Sequence, residues 1–214
     1  IGVALAAAGW AGAEFWERRG DPLLTLDALL ARSEVVVVGV DGGGLDDLLG
    51  LAVVGREKGS RKWLHWAHAW AHEIVLERRQ ELEPKLRDLE REGDLTIVGL
   101  PGQDVIELAD YVQKINEAGL LPDKHAIGVD PAGIGAVVDE LTLDERGIDM
   151  DQIIAVSQGW KLNGAIKTTE RAVAGGDFVH GAQPLMAWAV GNAKVVPVGN
   201  AVTITKQAAG SAKI

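Results

Sequence analysis

The chain has 214 residues, 47% of them hydrophobic and 24% charged, with a formal net charge of −10, values that fit one sizeable domain with an ordinary core. No window holds the roughly 18 uninterrupted apolar residues of a membrane helix. The absence of cysteine excludes disulfides, iron–sulfur clusters and thiolate zinc sites, so any metal must be held by oxygen or imidazole.

The start of the chain, "IGVALAAAGWAGAEFWERRG", is apolar and small but lacks the basic n-region of a secretory signal. It reads as a helical remnant of an upstream element. Together with "GDPLLTLDALLARSE" it makes residues 1–32 a linker or remnant segment, and the domain proper is expected over 33–214. Residues 35–40 and 48–55 are short, β-branched and glycine-bounded, so they read as two strands of a hairpin. A polar turn leads to "KWLHWAHAW", a third, aromatic run read as an edge strand. The stretch "IVLERRQELEPKLRDLEREG" reads as a charged amphipathic helix interrupted by proline.

From residue 95 the pattern alternates. "LTIVGL" is a strand, "DVIELADYVQKINEAG" a helix capped by Asp104, and "KHAIGVD" a strand. "AGIGAVVDELTLDERG" then reads as a helix and "QIIAVS" as a strand. Helices over 161–175 and 183–192 follow, then the strand pair "KVVPV" and "AVTITK". Three hairpin-like strands followed by alternating units imply a mixed α/β sheet with helices on its faces.

Two strand ends carry chemistry. Asp41 ends an apolar strand in "VVVVGVDGGGLDD", with Asp46 and Asp47 beyond three glycines, and Asp130 ends another in "IGVDPAG". In an open sheet the crevice beyond the strand carboxyl ends is the natural ligand site. Carboxylates brought together there repel unless a divalent cation neutralises them, and hard oxygen ligands suit Mg²⁺ or Mn²⁺. The bland alternative is that Asp41 and Asp130 are independent turn or cap residues. The three histidines of "HWAHAWAH" invite a zinc reading, since His68 and His72 would share a helix face. The interleaved tryptophans and the lack of a nearby acid favour packing residues instead.

"GVDGGG" resembles the first phosphate loop of actin-like sugar kinases and ATPases. Such loops continue with hydroxyl residues, whereas Asp46 and Asp47 would repel a triphosphate and strengthen a metal site. The ordered set of motifs over residues 35–214 resembles a different family, the nuclease domain of the tailed-bacteriophage large terminase subunit, which is ribonuclease H-like. The set comprises Asp41, then Asp47-Leu48, Asp130-Pro131, "VSQG" from Val156 to Gly159, "HGAQPLMAWAVGN" from His180 to Asn192, and the stretch from Lys206 to Ile214.

That resemblance implies a ribonuclease H-like fold, a mixed central β-sheet flanked by α-helices, and metal-dependent cleavage of double-stranded DNA during genome packaging. It implies a two-metal Mg²⁺ or Mn²⁺ site on Asp41 and Asp130 with Asp47 assisting. The partners implied are the terminase ATPase domain, the small terminase subunit and the portal protein, in the cytoplasm of the bacterial host and without a membrane. The family's third acid is expected just after Ile214. The segment after Gln158 carries +4 while residues 1–158 carry −14. Its Lys161, Lys167 and Lys206 are the favoured contacts to the DNA backbone. A kinase of the actin-like type and a non-catalytic docking module of the same fold are the competing readings.

Overall fold

The computed structural model describes residues 8–132 and 134–205. A two-residue strand β1 (Ala8–Gly9) is followed by α1 (Ala13–Trp16) and α2 (Leu26–Arg32), which Thr25 caps by accepting the Ala28 amide at 3.2 Å. The hairpin is present as β2 (Ser33–Gly42) and β3 (Leu49–Glu57), antiparallel, followed by β4 (Trp63–His72). The charged stretch forms two helices, α3 (Glu73–Arg78) and α4 (Glu83–Arg91), with Pro84 in the first turn of α4, where its missing amide costs nothing.

Next come β5 (Leu95–Val98), α5 (Gln103–Glu117), β6 (Ile127–Val129), α6 (Gly135–Leu141) and β7 (Ile153–Ala155). The chain continues through α7 (Asn163–Gly175), β8 (Phe178–His180), α8 (Pro184–Asn192), β9 (Lys194–Val198) and β10 (Ala201–Thr205). The main sheet has seven strands in the order β5-β4-β3-β2-β6-β7, with β8 also on β4; β1, β9 and β10 form a separate three-stranded sheet. In the main sheet β3 alone runs antiparallel to its neighbours. This is the mixed sheet flanked by helices, ribonuclease H-like, that the family resemblance implies.

β4 is buried along both faces apart from the half-buried Trp63 and Trp66, with His65, His68 and His72 interleaved among its apolar residues. One face of the sheet, with Val36, Val38, Leu51, Val53, Leu64 and Ile127, packs against α2, α5 and α6 through Leu29, Leu108, Val112 and Leu141. The other face meets α3, α4 and α8 through Val75, Leu86, Leu89 and Leu185. A third cluster joins Trp10 and Trp16 to Ile166, Val173 and Phe178. Within the segment expected as a linker, Leu24, Leu26 and Leu29 are buried in the main core. Arg32 there pairs with Asp21 at 3.1 Å and Glu57 at 2.7 Å.

Several local expectations are corrected. Of the start read as a helical remnant, residues 1–7 lie outside the described residues, Ala8–Gly9 are a strand, and the α-helix is confined to Ala13–Trp16. The N-cap of α5 is Gly102 at φ 86°, because the loop arrives in a left-handed turn; Asp104 sits inside the first turn, where its charge favours the helix dipole. The helix after Asp130 stops at Leu141. β4 is no edge strand, since β3 lies on one side and β5 and β8 share the other. β8 escaped the reading because three residues are too short to show a period.

Candidate functional site

The register of β2 and β6 places the two strand-end aspartates. Val38, Gly39 and Val40 pair in parallel with Ile127, Gly128 and Val129, and the Asp130 amide donates to the Val40 carbonyl at 3.2 Å. Asp41 and Asp130 are therefore the next residues of two adjacent parallel strands. Side chains alternate along a strand, and Val36, Val38, Val40, Ile127 and Val129 are all buried on the core face. Asp41 and Asp130, one residue out of phase with them, share the opposite face. Asp41 is exposed and Asp130 half-buried, its Oδ1 accepting the Ala132 amide at 2.9 Å.

The glycines shape the approach. Gly42, Gly43 and Gly44 have φ of 81°, 107° and 117°, and a Cβ on Gly42 would lie 2.2 Å from the Leu48 carbonyl oxygen. That oxygen accepts the Gly43 amide at 3.0 Å, closing the loop over residues 43–48. Asp47, half-buried, lies beside this closure with Oδ1 accepting the Leu48 amide at 2.9 Å. Asp46 turns toward α3: its carboxylate is 3.5 Å from Arg78, and Arg79 donates to its carbonyl at 3.1 Å.

Hard oxygen donors on one open sheet face suit Mg²⁺ or Mn²⁺ and not a soft metal. Among the described residues no group of three or more His, Asp or Glu side chains converges as a ready-made metal cluster. The structure thus brings Asp41 and Asp130 together and hangs Asp47 on the adjoining loop. Lys161 is exposed on a 3-10 turn (Gly159–Leu162) past the end of β7, whereas Lys167 on α7 pairs with Glu170 at 3.2 Å. Lys206 lies outside the described residues, as do Lys213 and Ile214.

The histidines are packing residues. On a strand His65 and His68 point to opposite faces, and His68 and His72 stand about 13 Å apart. His68 bonds Thr96 at 2.9 Å, and His72 Nδ1 accepts the Ile74 amide at 3.2 Å, capping α3. Burial pushes the His65 imidazole down to about 4, with further repulsion from His180. Sequence reasoning missed the Arg78 and Arg79 contacts, which no motif signals, and Trp160, whose signal was an aromatic placed directly after "QG".

Residues 10–209 match the family described as terminase large subunit, endonuclease domain. The chain belongs to that family. The terminase nuclease fold is also found in solved structures. The HK97 bacteriophage large terminase superposes with a TM-score of 0.73 at 21% identity, over 94% of this chain and 40% of that one. This terminase domain therefore spans less than half the length of that protein. The large terminase nuclease from thermophilic phage G20c with bound magnesium superposes with a TM-score of 0.51 at 12% identity, covering 98% of this chain and 96% of its own. At these identities the likeness concerns the fold. No curated protein matches the sequence.

Proposed function

We propose that this terminase nuclease domain is a divalent-metal-dependent endonuclease that cleaves double-stranded DNA during phage genome packaging, with Asp41 and Asp130 as its catalytic carboxylates. The single observation that carries the reading is the parallel register that sets the two aspartates side by side on one open face. The bound magnesium of the G20c nuclease supports it. When bound, a Mg²⁺ or Mn²⁺ pair supplies the Lewis acidity that activates water and stabilises the leaving 3′ oxygen. Asp41 and Asp130 hold position and negative charge there, and Asp47 assists from the loop directly or through water. The glycine turn, free of Cβ atoms, lets a phosphodiester approach the backbone, and Lys161, Lys167 and Lys206 meet the sugar–phosphate chain without reading sequence.

So few cations hold DNA weakly, so the ATPase domain, small subunit and portal would retain the substrate in the bacterial cytoplasm. Among the described residues no helix is long and apolar enough to cross a membrane. Neither the kinase nor the docking reading gains support from the family match. In Mn²⁺ or Mg²⁺ the chain should nick or linearise plasmid, and Asp41→Ala or Asp130→Ala should each abolish cutting while the fold is retained. Undiminished cutting by both variants would overturn the assignment.

A further inference from the structure

The chain has seven tryptophans. Trp10, Trp16 and Trp70 are buried and Trp63, Trp66 and Trp188 half-buried, while Trp160 is 57% exposed. An indole left in water forfeits the burial for which aromatic residues are otherwise used, and exposed aromatics concentrate at binding surfaces.

Its position matters more than its exposure. The Val156 amide donates to the Val129 carbonyl at 2.8 Å, so the chain leaving β7 starts beside the strand end that carries Asp130. Trp160 comes four residues later, at most about 14 Å of extended chain from Val156. Gly159, at φ 71°, makes the turn that presents it. The support beneath is fixed: Leu162 packs against the third core cluster, and Asn163 Oδ1 accepts the Val202 amide at 2.9 Å. The neighbouring Lys161 is exposed, and among the described residues no carboxylate pairs with it. A rigidly footed turn thus offers an aromatic face and a cation at successive positions, on the segment that leaves the sheet beside the strand end carrying Asp130.

Resting on the nuclease reading above, we propose that Trp160 and Lys161 form a nucleotide-binding step, the indole stacking on an unpaired base of the substrate strand and the ammonium binding the adjoining phosphate. Bases inside a duplex are already stacked, so an indole face reaches only one that is unpaired or splayed. Such stacking tolerates any sequence because every base has a π-face. The domain therefore prefers DNA with unpaired nucleotides to a continuous duplex.

Fluorescence anisotropy tests this on a short blunt duplex and on the same duplex with a single-stranded tail, in Ca²⁺ so that binding is read apart from cutting. Trp160→Ala should weaken binding of the tailed DNA about tenfold, spare the blunt duplex and leave the salt dependence unchanged, with Trp160→Phe restoring most of the loss. Lys161→Ala should weaken both DNAs and reduce the slope of log affinity against log salt by about one. Unchanged binding by Trp160→Ala, or an equal loss on both DNAs, overturns the inference. Thermal midpoints equal to wild type exclude misfolding as the cause. Plasmid cutting that disappears in Asp41→Ala would keep the nuclease reading standing if only the Trp160 result failed. A wild-type chain that neither binds nor cuts DNA would sink both.

Discussion

At the scale of single residues, the loop after Asp41 is governed by Gly42. Any L side chain there meets two penalties, a backbone held at φ 81° and a Cβ 2.2 Å from the Leu48 oxygen. Gly42→Ala should therefore cost at least about 2 kcal/mol in urea unfolding and impair cutting even where folded. Gly59→Ala, at φ 77° but with open space around its Cβ, is the control and should cost only about 1 kcal/mol. A similar cost at both glycines would show that the close approach to Leu48 contributes nothing. The requirement for glycine after Asp41 was visible in the sequence. Which atom the missing Cβ makes room for was not, because that atom belongs to the returning strand.

At the scale of elements, the outer edge of β4 is shared between two strands that do not meet. β8 pairs with Trp63–His65 and β5 with Ala69–His72. Gly181 donates to the His65 carbonyl at 3.1 Å and the Ala69 amide to the Asp94 carbonyl at 3.2 Å. Between them the Gln183 side chain takes the place of a strand residue, accepting the Ala67 amide at 2.8 Å and donating to the Ala67 carbonyl at 2.6 Å. It also donates to Asp94 Oδ1 at 3.1 Å, and Asp94 Oδ2 accepts the Leu185 amide at 2.9 Å, which seats α8. Ala67, Asp94, Gln183 and Leu185 are all buried. Gln183→Ala leaves a backbone amide, a carbonyl and a carboxylate short of partners, so a loss of about 2–4 kcal/mol in denaturant unfolding is expected. A loss under about 0.5 kcal/mol would mean that water replaces the side chain fully. The motif "HGAQP" was noticed as a family signature, but the reason for its glutamine lies in a gap between strands that are distant in sequence.

At the scale of the whole molecule, the histidines predict an acid limit. Burial lowers the folded pKa of His65 to about 4, and burial also lowers those of His68 and His180. His180 resists the shift in part by donating to the Trp16 carbonyl at 2.8 Å while its Nδ1 accepts the Ala182 amide at 3.1 Å. Between pH 6.5 and about 4 the unfolded chain binds more protons than the folded one, so stability is full above 6.5 and falls as pH drops through that window. His65 alone accounts for roughly 3 kcal/mol over the window. Urea midpoints measured from pH 7.5 to 4.5 should decline steadily, and His65→Leu should flatten the curve. An unchanged slope in that variant would move the acid sensitivity elsewhere.

The same scale separates what each level of description decides. Local pattern was enough for the strand–glycine–strand hairpin, the alternating β-α units, the absence of thiol chemistry and the identity of the aspartates at strand ends, because these depend on neighbours in sequence. Only the tertiary structure decided that Asp41 and Asp130 share one face, since that requires parallel pairing between strands 89 positions apart. It also decided that Asp46 turns to α3 while Asp47 stays beside the loop closure, and that the histidine strand is interior to the sheet and not at its edge. Residues 24–29 likewise entered the core through contacts with distant strands that no local period reveals. Strand registry is set by hydrogen bonds and packing between distant segments, and a single sequence read along its length does not contain those pairings.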